Sequence, residues 1–275
     1  MEIYFLQIGI FIFGTIIGSF LNVVILRQGI KSLNGRSECA VCQKKLKWYE
    51  LIPVISFFIQ RGKCRICKNH ISWQYPLVEI VTGTLFLLIF NLPAGRQVFN
   101  QISLVGIFDL ASLWVIFSLL IIIFVYDLYH KIIPDRWVFL FVGLALARFF
   151  ILDFQGFGFS STFWAGPILA FPFVFLWIIS QGRWLGLGDA KLALGIGWFL
   201  GLVKGSSAII LGVWAGAFVG LLLISLSKIN NSKRLSFLTK NFTIKSELPF
   251  APFLILGATL VFFFGWDVWG LSLIL

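Results

Sequence analysis

The chain has 275 residues, 59% of them hydrophobic and only 12% charged, about half the ~25% charged share of a soluble domain. With 32 Phe and 11 Trp, it cannot be a disordered chain, a disulfide-stapled miniprotein or a water-soluble globule; lipid is the solvent that suits it. The net charge of +11 is then read as cytoplasmic loops and headgroup contacts, with the bilayer and not nucleic acid as the partner.

A spanning helix takes about 20 apolar residues at 1.5 Å rise each. In chain order the apolar runs are Ile3–Leu26, Pro76–Leu92, Leu104–Tyr126, Trp137–Leu152, Phe163–Ser180, Leu192–Val203, Ser206–Leu226 and Ala251–Leu275. The first is too long, and too polar at Ser19 and Asn22, for a cleavable signal, and no A-x-A site follows it. The fold class predicted is all-α, a polytopic membrane bundle of about eight transmembrane helices, the second and sixth being the weakest. Residues 1–26 form the first span, 27–76 a polar loop domain and 77–275 a membrane core. There is no low-complexity tract and no internal repeat.

All but three of the 22 Lys and Arg fall on one set of connections; Arg96, Arg148 and Lys204 are on the other. The positive-inside rule places the basic loops in the cytoplasm and both termini outside.

The 27–76 loop holds all four cysteines, as Cys39-x2-Cys42 and Cys64-x2-Cys67. The 21 residues between the pairs are close to the C-x2-C-x(about 15–20)-C-x2-C spacing of a zinc ribbon. Each C-x2-C turn aims two thiolates at one tetrahedral position, so two knuckles make a closed S4 site. A cytoplasmic loop keeps its thiols reduced, and a closed site leaves no open coordination position, so the zinc is expected to be structural. No thioredoxin-like βαβ pattern favours a redox pair. His70 is read as a surface residue, and the Leu51–Ile59 patch as too short to span.

Acids at membrane depth are costly and mark function by default. Asp127 ends the third span, before Ile133-Pro134-Asp135, where Pro134 breaks the helix; Asp135 is read as a turn residue. Asp189 closes Gly186-Leu187-Gly188-Asp189 between the fifth and sixth spans, and the two glycines let another backbone approach. Both acids are predicted at the cytoplasmic boundary, on different helices that a bundle can bring together. Two such carboxylates can share a proton, one activating water while the other polarises a peptide carbonyl; this hydrolysis needs no cofactor. Solvated boundary acids, relay groups of a proton-coupled transporter, or a scaffold carrying a zinc knuckle remain open on these residues alone. Glu79 is a candidate for binding a basic substrate segment or a helix-end acid paired with a loop cation. Asp109 and Asp267 are read as solvated near the outer face, and His130 as an interfacial polar residue.

The ordered blocks resemble the type IV prepilin peptidase family, aspartic membrane proteases with a Gly-x-Gly-Asp signature. They are Gly18-Ser19-Phe20-Leu21-Asn22-Val23-Val24 with Arg27, Arg36-Ser37 with Cys39 and Cys42, Trp48, Leu51-Ile52-Pro53 and Ser56. Gly62, Cys64, Cys67, Ile71-Ser72, Tyr75-Pro76 and Glu79 follow, then Asp127, Ile133-Pro134-Asp135, Gly186-Leu187-Gly188-Asp189 and Pro249-Phe250-Ala251-Pro252-Phe253. Ala251 stands where the family more often has Gly. The resemblance implies a bacterial inner-membrane enzyme whose substrates are prepilins or pseudopilins. It implies removal of their short basic leader after a glycine at the cytoplasmic face, by Asp127 and Asp189, with Glu79, Gly186 and Gly188 as substrate-binding candidates. Members with the cysteine loop also N-methylate the new terminus with S-adenosylmethionine.

Overall fold

The computed structural model describes residues 2–28, 35–39, 41–93, 103–152, 161–229 and 248–270. Among them the regular structure is helical, with two isolated antiparallel β-bridges. The helices are α1 (Glu2–Arg27), α2 (Ile55–Ile59), α3 (Gln74–Asn91), α4 (Leu104–His130), α5 (Asp135–Leu152), α6 (Ser161–Ser180), α7 (Leu187–Ile229) and α8 (Ala251–Phe264), with a 3-10 turn at Trp48–Leu51. Five of them (α1, α3, α4, α6 and α7) are long and apolar enough to cross a membrane. The expected all-α membrane bundle is therefore the fold.

Three predicted spans take a different form. The sixth and seventh are one element, α7, broken at Gly201, whose φ of 77° and ψ of −179° are non-helical. The 40-residue span Leu187–Leu226 of α7 has a helical rise of about 60 Å, twice the ~30 Å hydrocarbon thickness. The sequence reading placed the interruption at Lys204, because charge is visible in a sequence and a dihedral angle is not. The eighth helix ends at Phe264, short of the predicted Leu275, because Gly265 takes a left-handed cap (φ 63°).

The chain packs as two compact units, 1–122 and 123–275. In the first, α1 and α3 run antiparallel along a seam of small residues. A Cβ on Gly14 would lie 2.8 Å from Gly83 Cα, and one on Gly18 would lie 2.7 Å from Glu79 Cα. One turn on, Asn22 Nδ2 donates to the Tyr75 carbonyl (3.1 Å). The start of α4 joins this pair through Trp114, whose ring stacks on Phe86 (5.1 Å between centroids) and whose indole N–H donates to the Phe86 carbonyl (3.2 Å).

In the second unit α5, α6 and α8 all pack on α7. Lipid supplies no hydrophobic drive between helices, so they hold together by close contact at small residues. A Cβ on Gly197 would lie 2.6 Å from Gly166 Cα and 2.7 Å from the Ala165 carbonyl, and one on Gly212 would lie 2.8 Å from the Phe253 carbonyl. Gly195 faces the Phe141 ring, and Gly257 the Ala208 carbonyl. One contact repairs a defect. Pro167 lies inside α6 and has no N–H for the carbonyl four residues back, that of Phe163. The Trp198 indole N–H of α7 donates to that carbonyl instead (2.9 Å), and Gly166 leaves room for the ring.

Two predictions follow from this packing. Trp198→Phe removes the indole donor from the Phe163 carbonyl and lowers stability by about 1–3 kcal/mol. Adding Pro167→Ala restores a backbone donor and recovers most of the loss, as read from thermal midpoints of the detergent-solubilised single and double variants. Gly197→Ala forces backbone apart and costs roughly 1–3 kcal/mol. By contrast Gly143→Ala, which meets nothing within 4 Å, leaves the midpoint unchanged or raised.

Candidate active site and sulfur cluster

Asp127 lies in the last turn of α4 and Asp189 in the first turn of α7. Both are buried, at 4% and 8% exposure, and Asp189 feels the charge of Asp127. Three helix ends converge to make this place. After α4 the chain turns at Lys131, which has a positive φ of 53°, and Ile133 packs on Gly188, where a Cβ would fall 2.8 Å from Ile133 Cβ. Gly188 is thus needed for the close approach of the α4–α5 turn to the start of α7. Gly186 accepts the Asp189 backbone N–H through its carbonyl (3.2 Å), and a Cβ there would sit 3.6 Å from Asp189 Oδ2, in ordinary contact with it. The third end is α8, whose first residue, Ala251, donates its backbone N–H to Asp127 Oδ2 (3.2 Å). The first N–H groups of a helix lack intrahelical partners, and here a carboxylate takes one.

Among the described residues no ion pair involves Asp127 or Asp189. The nearby cation Lys191 is committed elsewhere, 2.5 Å from Asp135 Oδ1 and over the Phe139 ring. Asp135 is therefore the first residue of α5 and pairs with α7, where the sequence suggested only a turn. Asp267, expected to be solvated, accepts from the Trp269 N–H (2.9 Å) and shares the buried Ser207 hydroxyl (3.2 Å) with the Val203 carbonyl (3.0 Å). The Ala251 amide was not legible as a site group. Its one signal is Pro252, which marks a helix start.

In the first unit the four cysteine sulfurs lie within 4.8 Å of one another, and Cys39 Sγ is 3.9 Å from Cys67 Sγ. A zinc ion with bonds of about 2.3 Å sets its sulfurs about 3.8 Å apart, so the cluster fits a tetrahedral metal. The two halves repeat the same backbone pattern. Cys39 N–H donates to Lys44 O and Gln43 N–H to Cys39 O; Cys64 N–H donates to Asn69 O and Lys68 N–H to Cys64 O. Gln43 and Lys68, each four residues after the first cysteine of its pair, both have positive φ (55° and 58°). This is a short internal repeat that the sequence hid, since neither position is a glycine. Backbone N–H groups of Cys67 and Ile66 hold the Cys64 thiol down, to about 6. At Cys67 the Asn69 N–H pulls down, but burial and the neighbouring sulfurs win and push it up to about 11. A second thiolate beside the first is unfavourable until a cation joins them.

Glu79, 7% exposed, belongs to the α1–α3 seam. Its Oε2 accepts the Val54 N–H (2.6 Å) and its carboxylate takes the Ser19 hydroxyl. Val54 has a φ of 61°, an outlier for a β-branched residue. No loop cation pairs with Glu79 among the described residues; Arg65 pairs with Glu50.

The profile of the Bacterial Peptidase A24 N-terminal domain matches residues 12–92, and that of the Type IV leader peptidase family matches residues 114–223. The chain is 32% identical over 261 residues to the prepilin leader peptidase/N-methyltransferase of Bacillus subtilis (strain 168), covering 93% of each chain. It is 34% identical over 221 residues to the protein so named in Myxococcus xanthus (strain DK1622), covering 78% of this chain and 62% of the relative. A third, from Klebsiella pneumoniae, is 30% identical over 212 residues, covering 70% and 84%. No solved structure matches the chain significantly. Two adjoining profiles and a relative matched over 93% of each chain converge on one assignment: the chain belongs to the type IV leader peptidase family.

Proposed function

We propose that the protein is an aspartic endopeptidase of the bacterial inner membrane. It removes the short basic leader of type IV prepilins or pseudopilins, after a glycine and at the cytoplasmic face, and then N-methylates the new terminus with S-adenosylmethionine. The observation that carries the peptidase reading is the burial of Asp127 and Asp189 in one unit, within each other's field, with no ion-pair partner among the described residues. The methylation reading is supported by the names of the relatives.

Asp127 Oδ2 is engaged by the Ala251 amide, which leaves Oδ1 for water. Asp189 Oδ2 lies beside Gly186. Two carboxylates in one low-dielectric site hold a single proton between them. The ionised partner takes a proton from water as it attacks the scissile carbonyl, and the protonated partner donates to the carbonyl oxygen. The tetrahedral intermediate then collapses as a carboxyl proton passes to the leaving amine. A prepilin leader carries positive charge ahead of a ~20-residue apolar helix, so its scissile bond lies at the boundary depth expected for both acids. The basic-loop asymmetry supports a cytoplasmic face. Cys39, Cys42, Cys64 and Cys67 would hold a structural zinc, which closes the loop around a charge-neutralising cation.

Asp127→Asn and Asp189→Asn, each tested in proteoliposomes with a prepilin, are expected to cut leader removal by about 10²–10⁴-fold. Activity within threefold of wild type in either variant refutes the dyad. The purified protein is expected to carry one zinc per chain, lost in Cys64→Ser and on chelation, with faster proteolysis of the 35–72 segment. Protons compete with metal for thiolates. Lowering the pH is therefore expected to release the zinc from the four sulfurs, measured by dialysis and elemental analysis.

A further inference from the structure

The α1–α3 seam contains hydrogen-bonding groups that its own packing does not satisfy. Asn22 is 1% exposed. Its Nδ2 donates to Tyr75 O, but its Oδ1 is buried without a partner among the described residues. Gln74 Nε2, in the first turn of α3, is likewise buried and unpartnered. Along the same face, one turn from the Asn22–Tyr75 bond, the Glu79 carboxylate takes two neutral donors, the Val54 N–H and the Ser19 hydroxyl. No cation pairs with it among the described residues.

Native interiors rarely leave such groups unmade, and each exception asks for an explanation. Here the unmet groups have a consistent chemistry. A spare amide acceptor beside an unpaired carboxylate calls for a cation with several N–H donors. A spare amide donor nearby calls for an acceptor on the same ligand. An α-ammonium group with an adjacent carbonyl or carboxylate supplies both. A lysine side chain supplies only the ammonium, and a metal ion supplies neither donor.

We propose that Asn22, Glu79 and Gln74 form a binding site for an α-ammonium group, separate in role from the aspartate pair, that holds one of the two methylation substrates. This rests on the methyltransferase part of the reading above. Two molecules carry the group: the freshly cut pilin, whose first residue bears an ammonium and a peptide carbonyl, and S-adenosylmethionine, whose methionine end bears an ammonium and a carboxylate. Val54 gives the site a reporter, because its amide is bonded to Glu79 and filling the site holds that amide in place.

The first measurement uses wild-type protein in nanodiscs and follows hydrogen exchange at the Val54 amide. Four probes are added separately: S-adenosylmethionine, a mature-pilin peptide with a free N-terminus, the same peptide N-acetylated, and a leader peptide whose only ammonium groups are lysines. The site is supported if exchange slows at least fivefold with one of the first two, which identifies the source, and not with the acetylated peptide. Equal protection by the acetylated peptide, by a leader peptide whose only ammonium groups are lysines, or by no probe overturns it. The second measurement counts methyl groups transferred per pilin cleaved in Glu79→Gln and Asn22→Leu. A fall of tenfold or more in this ratio supports the site, and an unchanged ratio overturns it. Because cleavage is the denominator, a variant that cuts is folded. A wild-type protein that never cuts a prepilin defeats the peptidase reading and not this one, which the exchange measurement decides.

Discussion

Backbone contact at glycine is the constraint on which the second unit depends. Helices in lipid gain nothing from hiding apolar surface from each other, so they stay together only where atoms meet closely enough for dispersion and polar contacts to matter. Along α7, glycines at 188, 195, 197 and 212 each admit a neighbour that a single Cβ would displace. The same device acts at both scales. At 197 it sets how near α6 comes, and at 188 it lets Ile133 press on the start of α7, which fixes where Asp189 stands relative to the end of α4. The carboxylates share a unit because the backbones around them can touch.

The polar contacts have their own logic. A helix start carries amides with no intrahelical acceptor, and α8 directs one of them at Asp127. A helix interrupted by proline has a carbonyl with no donor, and α6 receives one from Trp198. Both are answers to the rule that backbone groups in a bilayer must find partners within the protein. In each case the answer comes from a different helix, so satisfying the backbone also ties the unit together.

Much of this was legible from residues. Apolar length revealed the helices, because the bilayer imposes it. C-x2-C spacing revealed the sulfur cluster, since the turn is local. The motif around Asp189 revealed an acid flanked by glycines. The rest depended on information that spacing does not carry. The bend at Gly201 is an angle with no sequence mark among the many glycines of α7. The Asp135–Lys191 pair joins residues 56 apart in sequence, and the Ala251 amide has no side chain to notice. The repeat between the two knuckles was hidden for a related reason: its defining feature is a left-handed backbone at Gln43 and Lys68, residue types that rarely signal one.

Two glycines of α7, four positions apart, differ in what they forbid. At 197 the obstacle is volume, since backbone from α6 occupies the place where an L-residue's Cβ would go. At 201 nothing lies within 4 Å, and the obstacle is handedness, because φ 77° with ψ −179° is closed to L-residues and open to their mirror images. A methyl group on an L-residue is therefore refused at 197 by the neighbouring helix and at 201 by its own backbone. Genetic drift, limited to L-residues, is barred from both.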